Sequence, residues 1–173
     1  MKVYDGSQTE SAQETTPERL KVGIAEYEVT TDPAVLTTSG LGSCIGVALY
    51  DEPTGAAGLV HVMLPTAKDV EGGNRAKFAD TGVAELVEAL EDAGASTATM
   101  EAKVAGGSDM LDFSENGSSI GSRNLEQVRA TLSEYDIPIV GEDVGGDHGR
   151  SLRLEADSGD LVVKSANTDS VVL

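Results

Sequence analysis

The chain has 173 residues, of which 39% are hydrophobic, 30 are Asp or Glu and 12 are Lys or Arg, so that its formal net charge at pH 7 is -18. A chain of this length predicts one globular domain. It is predicted to be soluble, because no stretch approaches the ~20 consecutive apolar residues of a membrane span. The acidic charge is spread along the whole chain, which argues against nucleic acid and anionic membranes as partners, since phosphate binding needs clustered cations.

The same charge predicts a protein adapted to high salt. Self-repulsion destabilises a compact state in dilute buffer, whereas molar salt shortens the Debye length to ~3 Å and removes most of that repulsion. We therefore expect a halophilic protein that unfolds when salt is withdrawn, and full stability in dilute buffer would contradict this. The first residues lack the basic start and apolar core of a secretory signal peptide, which predicts a cytoplasmic location.

The N-terminal half is predicted to consist mainly of strands. Residues 1–19 hold scarcely any large aliphatic side chain and are predicted to be a disordered polar arm, with a single domain over 20–173. Residues 21–30 and 34–38 are predicted strands, because β-branched and apolar residues occur there over short spans. Residues 44–50 and 58–64 are predicted to pair as an antiparallel hairpin.

Two helices interrupt the strands. From Phe78 to Gly94, apolar side chains recur with the 3.6-residue period of an amphipathic helix, and the glycine marks its end. A strand is predicted over 98–104, and a second helix carries Leu125, Val128 and Leu132, with Ser122 or Asn124 as its N-cap. Two further runs flank a predicted turn at 157–160. Many short strands with two helices predict an α+β fold of packed sheets with helices outside.

The cysteine and histidine content limits the possible chemistry. A single cysteine excludes an intrachain disulfide and every multi-cysteine zinc pattern, and two histidines leave a metal site dependent on carboxylates. The segment "GLGSC" lacks the Lys-Ser/Thr ending of a phosphate-binding loop. The sequence therefore predicts neither a metal nor an organic cofactor.

The cysteine, Cys44, follows a run of small residues. Gly40, Gly42 and Ser43 allow the backbone to bend tightly, so that the N–H groups near Gly42 and Ser43 could face a ligand as in an oxyanion site. An ordinary glycine turn that enters a strand explains the same run equally well. A lone cysteine is by itself most often a small buried side chain.

A histidine, His61, lies on the second strand of the predicted hairpin. In an antiparallel hairpin, the numbers of any two directly opposed residues add up to the same sum. Cys44 and His61 lie on the same face only if this sum is odd: a sum of 105 places them directly opposite each other, and a sum of 107 places them diagonally. An even sum would place them on opposite faces. A thiol needs a base to become a good nucleophile, and pairing of thiolate with imidazolium is expected to lower its pKa. Thr37, Thr38 and Ser39 are candidates for the polar group that orients the imidazole.

The segment "TTSGLGSCIGVALYDEPTGAAGLVHVMLP" (37–65) resembles the signature of the CheD family of chemoreceptor glutamine deamidases. The resemblance continues through "NRAKFADTGVAELVEAL" (74–90), "EAKVAGGSDM" (101–110), "IGSRNLEQVRATL" (120–132) and "EDVGGDHGRSLRL" (142–154). It thus covers nearly everything from residue 20 onward. It implies that Cys44 is the nucleophile, that His61 is the base and that Thr38 orients His61.

The resemblance also implies a fold and a reaction. The fold would be similar to the catalytic domain of cytotoxic necrotizing factor toxins, a β-sandwich core flanked by helices. The reaction would be hydrolysis of glutamine side chains on chemotaxis receptors, through a thioester on Cys44 and without a cofactor. His148 is not part of the signature and is expected in a surface loop. Arg123 and Arg150 either contact a substrate or partner or are solvated or salt-bridged arginines.

Two other functions stay open at this stage. The resemblance implies binding of a CheC-type phosphatase, so the chain could be a regulatory binding module with little catalysis of its own. The same Cys–His pair also serves cysteine peptidases and transglutaminases, which spacing does not distinguish.

Overall fold

The computed structural model describes residues 18–67, 73–109, 119–166 and 169–173. The strands within these ranges are β1 (Glu18–Lys21), β2 (Tyr27–Thr30), β3 (Ala34–Leu41), β4 (Ile45–Asp51), β5 (Ala56–Val62), β6 (Met100–Gly106), β7 (Ile139–Val144), β8 (Arg150–Glu155), β9 (Asp160–Ser165) and β10 (Val171–Val172). The helices are a short 3-10 helix (Arg75–Lys77), α1 (Ala79–Asp92) and α2 (Ile120–Glu134).

The strands form two sheets that pack face to face. The first sheet has the strand order β1-β3-β8-β9-β10, and the second has the order β2-β5-β4-β6-β7. Both helices lie against the second sheet, α1 on β5, β2 and β4, and α2 on β4 and β7. The second sheet is therefore the middle layer, as predicted for an α+β fold of packed sheets with helices outside.

Because side chains alternate along a strand, the second sheet contributes to two separate cores. Ile45, Val47 and Leu49 of β4 face the helices, where they pack with apolar residues of α1 and α2. Ala48 of β4 and Leu59 of β5 face the first sheet, where they pack with Leu36 and Leu154. We call the second of these the inter-sheet core.

The predicted strand over 21–30 is wrong as a single element. β1 pairs parallel with β3 in the first sheet, whereas β2 pairs antiparallel with β5 in the second. The chain changes sheets at a tight turn, in which the Glu26 N–H donates to the Gly23 carbonyl (3.1 Å) and Ala25 has a φ of 62°. Apolar side chains lie on both sides of the turn, which led to the prediction of one strand, but their alternation changes phase there, from Val22 and Ile24 to Tyr27 and Val29.

The predicted hairpin is confirmed, and its opposed residue numbers add up to an odd sum. Ile45 opposes Val62, Gly46 opposes His61 and Asp51 opposes Ala56, so the residue numbers of each pair sum to 107. β5 is flanked by β2 on its other side, and β4 by β6. The hairpin thus occupies the interior of the second sheet, where its backbone is held on both edges.

The helices agree with the sequence pattern, with one correction at a cap. α1 begins after Phe78 and ends just before the predicted glycine, Gly94. The N-cap of α2 is Ser119, whose Oγ accepts from the Ser122 N–H at 3.0 Å, rather than Ser122 or Asn124. Asn124 is instead fully buried.

The ends of the chain complete the sheets. Glu18 and Arg19, which were predicted to belong to the polar arm, pair with Ala34 and Val35 of β3. The rest of the predicted arm, residues 1–17, lies outside the described part. The predicted C-terminal hairpin is confirmed, with Glu155 opposite Asp160. None of the described helices is long and apolar enough to cross a bilayer.

Candidate active site

His61 is held rigidly in the middle of the molecule. Its side chain is completely buried, on the face of β5 that carries Leu59 toward the inter-sheet core. Its backbone N–H donates to the Glu26 carbonyl (3.1 Å), and its carbonyl accepts from the Ala25 N–H (2.9 Å). The imidazole therefore projects between the two sheets from a fixed backbone.

One nitrogen of this imidazole contacts the opposite sheet. The Nδ1 atom lies 2.8 Å from Oγ1 of Thr38, which is itself buried on β3. Of the three hydroxyl residues considered from the sequence, Thr38 is thus the one in contact with His61. If Nδ1 carries the proton and donates to Thr38, the lone pair of Nε2 is left free to act as a base.

The other nitrogen, Nε2, is buried and has no hydrogen-bond partner among the described residues. A buried polar atom without a partner costs about 1–3 kcal/mol, and such atoms in native proteins are often functional. Nε2 is therefore available to a proton donor that enters the site.

Cys44 lies on the same side of the hairpin. It directly precedes β4, two residues before Gly46, which opposes His61, so it is diagonal to the histidine. Cys44 is partly buried and packs against the inter-sheet core, the face on which His61 projects. Gly46 has no side chain to separate the two, and a Cβ there would collide with Leu152.

Burial controls the protonation of both groups. It raises the pKa of the Cys44 thiol above its ordinary value of 9.0 and lowers the pKa of His61 from 6.5 to about 4. Both shifts have the same cause, because a charged group loses hydration when it is buried. Burial therefore opposes the expected thiolate–imidazolium pair and favours a neutral thiol and a neutral imidazole.

The loop before Cys44 is fastened to the segment after β6. The Gly107 N–H donates to the Cys44 carbonyl (2.9 Å), and the Ser108 N–H donates to the Gly42 carbonyl (2.8 Å). Gly106 has a φ of 114°, and a Cβ at this position would collide with the Cys44 carbonyl, so glycine is required. The Gly42 N–H donates to the Gly40 carbonyl (3.1 Å), which engages one of the amides predicted for the oxyanion site.

Sequence reasoning missed Asn124 as a residue of the site. Its Nδ2 donates to the carbonyl of Ser43 and to that of Met63, each at 2.9 Å. It thereby joins the residue before Cys44 to the strand end that follows His61. A detectable signal existed, because Asn124 falls on the helical face of Val128 and Leu132, where an apolar residue is expected.

The remaining candidates lie elsewhere. His148 is in an exposed loop next to Asp147, as expected. Arg123 is exposed on α2. The Arg150 side chain is 1% exposed and pairs with Asp143 at 3.2 Å, which agrees with the predicted alternative of a salt-bridged arginine. Within the described ranges, no three His, Cys, Asp or Glu side chains are grouped as a metal site would need.

Comparison with known proteins gives close relatives. A family model described as "CheD chemotactic sensory transduction" matches residues 63–165. A protein of Haloarcula marismortui, a halophile, named "Probable chemoreceptor glutamine deamidase CheD", is 73% identical over 173 residues, the full length of both chains. Proteins of the same name from Natronomonas pharaonis and Geobacillus kaustophilus are each 44% identical, over 94% and 88% of this chain and 97% and 95% of theirs.

Solved structures are more distant. The hypothetical protein YfiH of Bacillus licheniformis aligns with a TM-score of 0.46 at 15% identity, over 68% of this chain and 49% of that one. The protein NMB0706 of Neisseria meningitidis aligns with a TM-score of 0.45 at 15% identity, over 79% of this chain and 65% of that one. The chain therefore spans less than two thirds of the length of either structure.

Proposed function

The chain belongs to the CheD family, and on this premise we propose that it hydrolyses the side-chain amide of specific glutamines in chemotaxis receptors, giving glutamate and ammonia. The relatives with 73% and 44% identity carry the name of this activity. The cysteine mechanism below, its residue roles and its partners are our proposals for this chain.

Cys44 is the proposed nucleophile, and His61 the proposed base. As the Cys44 sulfur attacks the carboxamide carbon, Nε2 of His61 takes the thiol proton, so that no free thiolate has to exist beforehand. The C–N bond then breaks, His61 returns the proton to the departing ammonia, and a thioester remains on Cys44. His61 next activates a water molecule, whose hydroxide adds to the thioester carbon and releases glutamate, while the proton returns to sulfur.

Thr38 and the cysteine loop have supporting roles in this proposal. By accepting from Nδ1–H, Thr38 would keep the tautomer in which Nε2 is basic. The tetrahedral oxygen would be stabilised by the N–H groups of Ser43 and Cys44, since that of Gly42 is already engaged. Each such donor is typically worth about 3 kcal/mol in the transition state. The steps use only groups of the protein and water.

One observation supports this proposal most directly. The buried imidazole of His61 has one nitrogen bound to Thr38, while the other, Nε2, is unpartnered among the described residues. Cys44 is diagonal to it on the same face of the hairpin. A purely structural histidine would be expected to have both nitrogens satisfied.

The test uses a cytoplasmic fragment of a chemotaxis receptor and intact-mass spectrometry. The wild-type protein should add about one dalton for each modified glutamine, because replacing –NH₂ by –OH is the only net change. Cys44→Ala should abolish the increase, while the remote variant Ser133→Ala, which also removes one γ atom, should keep it. Unchanged deamidation by Cys44→Ala would refute the cysteine mechanism; chain cleavage would indicate a peptidase, and incorporation of an amine a transglutaminase.

Family membership also supports two finer proposals. We propose that a CheC-type phosphatase binds this chain, which a pull-down with Cys44→Ala would test independently of catalysis. The similarity to the cytotoxic necrotizing factor catalytic domain likewise stays a prediction, which a superposition of the two sandwiches would test.

A further inference from the structure

Part of the outer face of the first sheet is rich in positively charged residues. Arg19 and Lys21 of β1, Arg153 of β8 and Lys164 of β9 are all exposed there. These four are a third of the 12 Lys and Arg residues of a chain whose net charge is -18. Their placement follows from the register, since Lys21 opposes Thr37, Thr37 opposes Arg153, and Lys164 opposes Ser151.

These side chains surround a groove. It has a volume of about 480 Å³, and besides the four cations its lining includes the hydroxyl residues Thr37, Ser39 and Ser151. No Asp or Glu of the described residues lines it. We call this feature the basic groove. Lys and Arg side chains carry only hydrogen-bond donors, and a hydroxyl can rotate to donate, so every one of these groups can donate to a carboxylate.

Most of the cations in the basic groove are not neutralised within the chain. Arg153 pairs with Glu155 at 3.1 Å. Arg19, Lys21 and Lys164 have no salt bridge with any residue that the structure describes. By contrast, Arg75 and Arg129 on the helix side both pair with glutamates. The basic groove therefore keeps positive charge free on a surface that elsewhere repels acidic partners.

The basic groove is next to the candidate active site. Thr38, whose hydroxyl contacts His61, also lines the groove. Thr37 and Ser39 flank Thr38 on β3, and the chain continues from β3 through Gly40 and Gly42 to Cys44. A polypeptide that follows β3 along the groove would thus arrive at the cysteine loop.

We propose that the basic groove binds an acidic segment of the protein substrate, next to the glutamine that is hydrolysed at Cys44. This inference rests on the proposed function and adds a determinant of substrate choice. Carboxylates of the substrate would contact Lys21, Lys164 and Arg19 directly, with hydrogen bonds from the hydroxyls. Because molar salt screens charges beyond ~3 Å, these direct contacts, rather than long-range attraction, would supply the preference.

The experiment compares two synthetic peptides of equal length, each with a single glutamine. In the acidic peptide the glutamine is flanked by Asp and Glu, and in the neutral peptide it is flanked by Ser and other uncharged residues except Gln. Deamidation is measured at the lowest salt at which circular dichroism shows the native fold. The test variant is Lys21→Gln/Lys164→Gln. The matched control is Arg75→Gln/Arg129→Gln, which changes the net charge equally on the helix side.

The wild-type protein and the control should prefer the acidic peptide. In Lys21→Gln/Lys164→Gln, kcat/KM for the acidic peptide should fall about fivefold through KM, as expected for the loss of two exposed ion pairs, with no change for the neutral peptide. The proposal is overturned if wild type does not distinguish the peptides, if both peptides are affected equally, or if the control loses as much.

Binding separates this inference from the proposed function. Fluorescence anisotropy of the labelled acidic peptide is measured with Cys44→Ala, with and without the two groove substitutions. Groove-dependent binding without any deamidation by wild type would refute the function and support the groove. Deamidation without groove-dependent binding would support the function and overturn the groove.

Discussion

The two ends of the β4–β5 hairpin each bury an ionisable side chain, but they treat it differently. At the turn, Asp51 is 1% exposed and its carboxylate accepts from the Thr54 hydroxyl (2.7 Å), the Thr99 hydroxyl and the Ser96 N–H (3.4 Å). At the open end, His61 has a single side-chain partner, Thr38, and its Nε2 has none among the described residues.

This difference distinguishes a structural polar group from one that can react. A carboxylate with several donors joins the turn, the loop after α1 and the start of β6 into one unit, and it has little capacity left for a ligand. A buried nitrogen without a partner costs stability, and in the proposed mechanism this nitrogen stays free because it has to accept a proton. Substitutions at the two ends should therefore affect different quantities.

The largest effect is expected from His61→Gln, on activity. Loss of a general base typically slows a reaction by about 10²–10⁴-fold, and we expect about 10³-fold here. The free energy of unfolding should change by less than about 1 kcal/mol, because the wild-type imidazole is only half satisfied. Deamidation rates and urea unfolding measure the two quantities. Normal activity in this variant would remove His61 from the mechanism.

A pH titration of stability should show the next largest effect. The folded-state pKa of His61 is lowered to about 4 from an ordinary 6.5. Between these values the unfolded chain binds more protons than the folded one, so the free energy of unfolding falls as the pH is lowered through this window. The full contribution is about 3 kcal/mol, present above pH 6.5 and lost below pH 4.

The His61→Gln variant is the control for this titration, because it lacks only the histidine. The difference between the wild-type and variant unfolding curves should appear between pH 6.5 and 4 and be flat above it. The rate of deamidation by folded protein should persist well below pH 6.5, since Nε2 remains unprotonated. A loss of activity centred on pH 6.5 would show that the imidazole is not desolvated.

Asp51→Ala should lower stability without affecting chemistry. It leaves the Thr54 and Thr99 hydroxyls and the Ser96 N–H without their acceptor, which we expect to cost about 2 kcal/mol. Asp51→Asn, which keeps the shape and one acceptor, should cost less. Chemical unfolding measures the loss, and the deamidation rate per folded molecule should stay at the wild-type value. A folded but inactive Asp51→Ala protein would contradict the view that Asp51 at the hairpin turn is structural, whereas His61 at the open end is reactive.

Thr38→Val should have the smallest effect. Removal of the hydroxyl leaves Nδ1 without its partner and no longer favours the tautomer with a basic Nε2, so we expect kcat to fall about tenfold with KM unchanged. Thr38→Ser should restore most of the rate, because it keeps the hydroxyl. Equal losses in the Val and Ser variants would indicate a packing role for Thr38 rather than orientation of His61.

Regular elements were predicted from the sequence where the pattern is local. The period of apolar residues placed α1 within two residues of its ends, because helix contacts join residues three and four apart. The prediction of one strand over residues 21–30 failed because it rested on the content of apolar and β-branched residues, which lie on both sides of the turn at Ala25. Sequence reasoning also placed the α2 cap too late, since Ser119, Ser122 and Asn124 are all good caps and the choice depends on what each contacts in three dimensions.

The sequence by itself determined which reactive groups exist. It also set one condition: the numbers of opposed hairpin residues had to add up to an odd sum for Cys44 and His61 to share a face. The tertiary structure decided that the register sums to 107, that Thr38 rather than Thr37 or Ser39 contacts His61, and that Asn124 joins the two ends of the site. It also buries both groups, which opposes ionisation of each. The physical reason is the sequence separation of the contacts. Periodicity reflects contacts between residues close together in the chain, whereas contacts between sheets, and the desolvation that they cause, arise only when distant segments pack.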